Sequence, residues 1–113
     1  MKASELFTLL IRDGMPQERA TEFMQTHVKQ PWIWQGFQKA VEEELKENSE
    51  HISAKSAWER MRRNAKRDTG MDYALNNNWH SLYARAWSAK QRAEQPLLFK
   101  DIFEFRNLTK KAA

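Results

Sequence analysis

The side chains with chemistry in reach are three histidines (His27, His51, His80), a carboxylate run (Glu42, Glu43, Glu44, Glu47) and a group of cations between positions 55 and 67. A metal site needs ligands at a recognisable spacing, and the histidines are too far apart in sequence to show one. Successive carboxylates on a helix splay by about 100° each, so positions 42–44 make a poor ligand set. Ser81 follows His80, but neighbours on a helix do not face one another and cannot act as nucleophile and base. A nuclease using His80 with an acidic partner is the one catalytic arrangement the residues leave room for. Three glycines contain no phosphate-cradling loop, no HExxH run occurs, and the absence of cysteine excludes disulfides and thiolate ligands. The expectation is no enzyme, no catalytic residue, no metal and no cofactor.

The cations carry more information. Ser53 suits a helix N-cap and Gly70 a C-terminal cap. Between them, Ala54, Ala57, Trp58, Met61 and Ala65 share one side of a helix, the stripe that faces a core. Lys55, Arg62, Arg63, Lys66 and Arg67 take the other side, interrupted by Glu59. A solvated surface usually mixes signs, and this one is lopsided. A generic wet face is the plain alternative; the sharper reading is a set of phosphate contacts.

A second helical pattern follows Asn76, Asn77 and Asn78, each a competent N-cap. Trp79, Leu82, Tyr83, Ala86 and Trp87 form its apolar stripe. Ser81, Arg85, Ser88 and Arg92 occupy a narrow opposite sector, short-chained and polar, that could approach a base edge; arginine suits bidentate contact with guanine. The helix start, with Asn77 and Asn78 beside it, could hold a phosphate on its free amides. The aromatic stripe could serve as a stacking platform, but aromatics at this spacing are more often core. The two patterns read as a helix-turn-helix-like or winged-helix-like pair over 53–92. Their connection of roughly eight residues is longer than the three or four of a compact turn.

The run SAKSAWERMRRNAKRDTGMDYALNNNWHSLYAR resembles a family of small phage- and prophage-encoded proteins of no known activity. The resemblance rests on Ala54, Trp58, Glu59, Met61 and Arg62, then Leu75 to Asn78, then Tyr83, Ala84 and Arg85, and touches Phe103 to Arg106. It covers about half the chain and implies a mobile-element setting.

The positioning elements come from the rest of the 113 residues, enough for one domain with a single core. Helices are expected over 4–12 (Leu6, Leu9, Leu10 inward), 16–28 (Ala20, Phe23, Met24, and Val28 or His27 inward) and 31–48 (Ile33, Trp34, Phe37, Val41, Leu45 inward). His27 reads as a packed histidine and His51 as exposed. Asp13-Gly14 breaks the first helix, and Pro16 and Pro31 suit helix starts. The expected architecture is all-α: a compact bundle of about five helices, with a scaffold over 1–50, the basic pair over 53–92 and a closing segment over 97–106, helix or strand, carrying Leu97, Leu98, Ile102, Phe103 and Phe105. The glutamates of the third helix could be a metal site or a mimic of phosphates; an acidic face paired with the basic helix after it is the plainer reading.

Residues 1–52 hold 6 basic and 9 acidic side chains, a net of −3, and residues 53–113 hold 13 and 6, a net of +7. That asymmetry points to a polyanionic partner. No stretch approaches the roughly 18 apolar residues of a membrane span, and no signal peptide is expected. The sequence therefore predicts a cytoplasmic nucleic-acid-binding protein, with duplex DNA the leading partner and no membrane. The alternative is a protein-binding inhibitor of a host defence or replication protein.

Overall fold

The computed structural model describes residues 2–47, 52–70, 79–97 and 103. Five helices follow in order, with no strand among the described residues: α1 (Ala3–Arg12), α2 (Gln17–Lys29), α3 (Pro31–Glu47), α4 (Ala54–Thr69) and α5 (Trp79–Glu94). The sequence signals set most of their ends. Gly14 closes α1 with φ 96°, a left-handed conformation that costs glycine little. The Pro16 carbonyl then accepts the first free amides of α2, from Arg19 and Ala20. Pro31 is the first residue of α3, where its missing amide is no loss. Ser53 Oγ accepts the Ser56 amide at 3.3 Å, and Gly70, at φ 73°, donates back to Lys66 at the far end of α4.

The inward residues are largely those the periodicity marks. Leu6 and Leu10 of α1, Ala20 and Phe23 of α2, Ile33, Trp34, Phe37, Ala40 and Val41 of α3, and Ala57, Trp58 and Met61 of α4 are buried. Leu9, Met24, Leu45, Ala54, Trp79 and Trp87 pack partly buried at the edge. On α2 the choice falls on His27, which stacks on Phe23 at 5.6 Å, while Val28 points outward, 68% exposed.

The centre is an aromatic knot around Tyr83. Its ring lies 4.9 Å from Phe23, 5.3 Å from Trp58, 6.0 Å from Phe37 and 6.3 Å from Trp34, so one α5 residue touches α2, α3 and α4 together. Offset and edge-on aromatic pairs of this kind add about 0.5–1.5 kcal/mol each beyond their buried area.

The structure corrects the one-sided reading of α5. Leu82, Tyr83, Ala84, Ala86, Ser88 and Ala89 are all buried, and α5 packs against each of the other four helices. A helix covered all round is a central helix, not a surface one. The reason is side-chain size. Ser88, opposite the aromatic stripe, is small enough for α1 and the α1–α2 turn to approach, and it shares a pocket with Leu10, Asp13 and Met15.

Of the closing segment, Leu97 is almost wholly exposed, whereas Phe103 is buried, 6.4 Å from Phe37 and edge-on to Trp87 at 5.6 Å. The choice between helix and strand over 97–106 falls outside the described residues, as do His51, Leu98, Ile102 and Phe105.

Candidate nucleic-acid interface

The basic helix α4 divides its polar residues between two edges. The edge against α3 carries Ser56, Arg60 and Asn64, spaced one turn apart. Arg60 Nε donates to Glu44 at 3.0 Å and its Nη2 to Glu47 at 2.6 Å. Asn64 donates to Glu43 at 2.7 Å, and the Ser56 hydroxyl donates to Glu44. The bond from Glu47, with the nearby carboxylate of Glu44, holds the Arg60 guanidinium above its ordinary pKa against the opposing pull of desolvation. Glu43, Glu44 and Glu47 of α3 are thus matched from α4, as the plainer of the two readings expects.

Arg60 is the cation that the expected phosphate-contact set leaves out, and it is the one that takes up the glutamates. Ser56, Arg60 and Asn64 do form a polar i, i+4, i+8 line in the sequence, but such a line is equally at home in water, and only the fold sets it against the glutamates.

The five expected cations lie away from that strap. Lys55, Arg63, Lys66 and Arg67 are exposed and Arg62 is half-buried. Among the described residues no carboxylate forms an ion pair with Lys55, Arg63 or Lys66. Arg62 is 3.8 Å from Glu59 on its own helix, and Arg67 is 3.0 Å from the adjacent Asp68. The Arg67–Asp68 pair, exposed on both sides, is of the weak surface kind that a stronger anion can replace. From Lys55 to Arg67 the helix advances about 18 Å, so the cations are drawn out along the rod as contacts to successive phosphates would need.

The α5 sector behaves differently, because one of its four expected groove-facing residues, Ser88, is buried. Ser88 is 3% exposed and cannot reach a base edge. Arg85 and Ser81 are half-buried. Arg92 is exposed but pairs with Asp13 of the α1–α2 turn at 3.2 Å. Arg85, Ser88 and Arg92 instead line a small pocket with Leu10, Asp13 and Met15. The physical cause is that α5 packs against all four other helices. Asn77 and Asn78 lie outside the described residues.

The stacking platform gives way to the core reading. Tyr83 is fully buried, Trp87 packs on Phe103, and the Trp79 indole donates to Glu22 of α2 at 2.9 Å. Burial lowers the pKa of His27. It lowers that of His80 too, with the charge of Lys55 adding to the effect. His80 Nδ1 is buried and has no hydrogen-bond partner among the described residues. Among the described residues no three His, Asp or Glu side chains cluster as a metal site would require, and no helix is long and apolar enough to cross a membrane.

No protein-family model, curated protein or solved structure matches the chain.

Proposed function

We propose that this chain binds nucleic acid, with duplex DNA the leading partner, through the outer face of α4, as a small cytoplasmic regulator in a phage or mobile-element setting. The observation that carries the reading is the split on α4. The glutamates of α3 are engaged by Arg60, Ser56 and Asn64, and Lys55, Arg63 and Lys66 stay exposed without an ion pair among the described residues. Polyanion binding draws on cations placed in this way, because each phosphate met releases condensed counterions.

α4 and α5 are consecutive helices that pack on one another, which supports but does not by itself make a helix-turn-helix-like pair. The burial of Ser88 and the Arg92–Asp13 pair favour α4 over α5 as the contact helix in this proposal. The mode supported is therefore phosphate contact along α4, which positions a protein on a duplex and carries little sequence information.

The test is binding of a labelled duplex followed by fluorescence anisotropy. The full chain should bind at low salt and lose affinity at least tenfold on Arg63→Ala plus Lys66→Ala, with its melting temperature unchanged. Equal binding by the double variant would remove the basis of the proposal. A pull-down from nuclease-treated lysate addresses the competing protein-inhibitor reading: a partner retained by the wild-type face and lost with the same double variant would favour it.

A further inference from the structure

The pocket behind α5 combines features that no role in duplex binding uses. It has a volume of ≈ 90 Å³ and is lined by Leu10, Asp13, Met15, Arg85, Ser88 and Arg92. That is several times the minimum needed to hold one water, and it leaves room for a single compact group. Two guanidiniums and one carboxylate line it. Ser88 is 3% exposed, and its hydroxyl oxygen is buried with no hydrogen-bond partner. Buried hydroxyls are nearly always met by a partner, so this one calls for a ligand or a water.

The lining sorts among candidates. Arginine presents a planar fork of donors that matches the oxygens of phosphate, and a serine hydroxyl adds one more donor. A cation would meet two guanidiniums, and an apolar group would leave the Ser88 hydroxyl unmet. Asp13 stands at the site in contact with Arg92 at 3.2 Å and with Arg12 at 3.6 Å. A carboxylate bound to an arginine is the contact that an incoming oxyanion would supplement or displace.

We infer that Arg85, Ser88 and Arg92 form a binding site for one phosphate group, with Asp13 as the competing carboxylate that keeps its affinity modest. The site is separate from the α4 face. Occupancy would couple α5 to the α1–α2 turn, since Asp13 and Met15 belong to the turn and the donors to α5.

The test uses the full chain at constant ionic strength, with chloride replaced stepwise by inorganic phosphate, followed by melting temperature and by titration calorimetry. The site predicts a saturable rise in melting temperature. Ser88→Ala should weaken phosphate binding by about tenfold, through loss of one donor to a charged acceptor. Asp13→Asn should tighten it by roughly the same factor, because one negative charge beside the ligand is removed. That gain separates a binding site from a purely structural Arg92–Asp13 pair, whose loss would lower stability and leave phosphate without effect. Arg63→Ala plus Lys66→Ala should leave the phosphate response intact, so failure here and failure of the α4 interface are read independently. Phenyl phosphate distinguishes the sources: binding equal to the free ion identifies an esterified phosphate as an acceptable ligand, and binding of the free ion alone identifies a free-phosphate site. A response that is absent, does not saturate, or is the same in Ser88→Ala and Asp13→Asn as in the wild type would overturn the inference.

Discussion

The Arg60 guanidinium meets the Glu44 carboxylate at 3.0 Å through Nε and 2.9 Å through Nη2, across sixteen positions of sequence. With Glu47 on the same Nη2 at 2.6 Å, this contact decides how the charges of the chain are used. It commits one cation of α4 to the scaffold and leaves the outer ones available to a partner.

Arg60→Met should therefore lower the unfolding midpoint in urea more than Arg63→Met does. The Glu44 side chain is only 12% exposed, so removing Arg60 leaves a poorly solvated carboxylate with the Ser56 hydroxyl but no counter-charge, whereas Arg63 is exposed and outside any ion pair among the described residues. Equal midpoints for the two variants would mean that the strap contributes nothing to holding α3 and α4 together.

Tyr83→Phe should be neutral or stabilising, by up to about 1 kcal/mol. The Tyr83 ring is fully buried, and its hydroxyl is buried without a hydrogen-bond partner. An unmet buried hydroxyl carries a desolvation penalty of roughly 1–3 kcal/mol, which phenylalanine avoids while keeping the ring contacts. The same burial pushes the Tyr83 phenol pKa well up, so in a Tyr73→Phe background the native protein should show no tyrosinate absorbance until it unfolds in alkali. Tyr83→Ala, which empties the centre of the knot, should cost about 3–5 kcal/mol. Denaturant titration of both variants checks the pair; a loss above 1 kcal/mol in Tyr83→Phe would show that the hydroxyl has a partner.

Acid should weaken the fold through its histidines. Burial holds His27 and His80 below their ordinary value of 6.5 in the folded chain. The unfolded chain then binds more protons near and below that value, so stability rises with pH there. The histidine contribution is fully present above pH 6.5 and is lost as pH falls through the depressed folded values. Urea titrations at pH 5 and pH 7.5 should differ in this sense, and His27→Gln should narrow the difference. A gap unchanged in His27→Gln would place the acid sensitivity elsewhere.

The legible parts of the sequence were those where local chemistry sets the outcome. Ser53 and Gly70 cap α4 as their types require, and the 3.6-residue spacing of Ile33, Trp34, Phe37 and Val41 marks the inner side of α3 correctly. What could not be read was the direction of a face whose residues are small. Ser88 and Ala84 look neutral in a periodic pattern, and only the packing of other helices around α5 reveals them as core. Arg92 looks free until the fold brings Asp13 beside it, 79 positions away in sequence. The cations of α4 were found, but their division was not: Arg60 differs from Arg63 only in facing the α3 glutamates, a tertiary fact.

The most direct measurement is the salt dependence of duplex binding by the wild type and by a Lys55→Ala, Arg63→Ala, Lys66→Ala variant. Each phosphate contact contributes about 0.9 to the slope of log affinity against log salt. If the outer face of α4 is the interface, the triple variant should retain its melting temperature and lose a slope of about 2 to 3. A variant whose affinity and slope both equal those of the wild type would contradict the account.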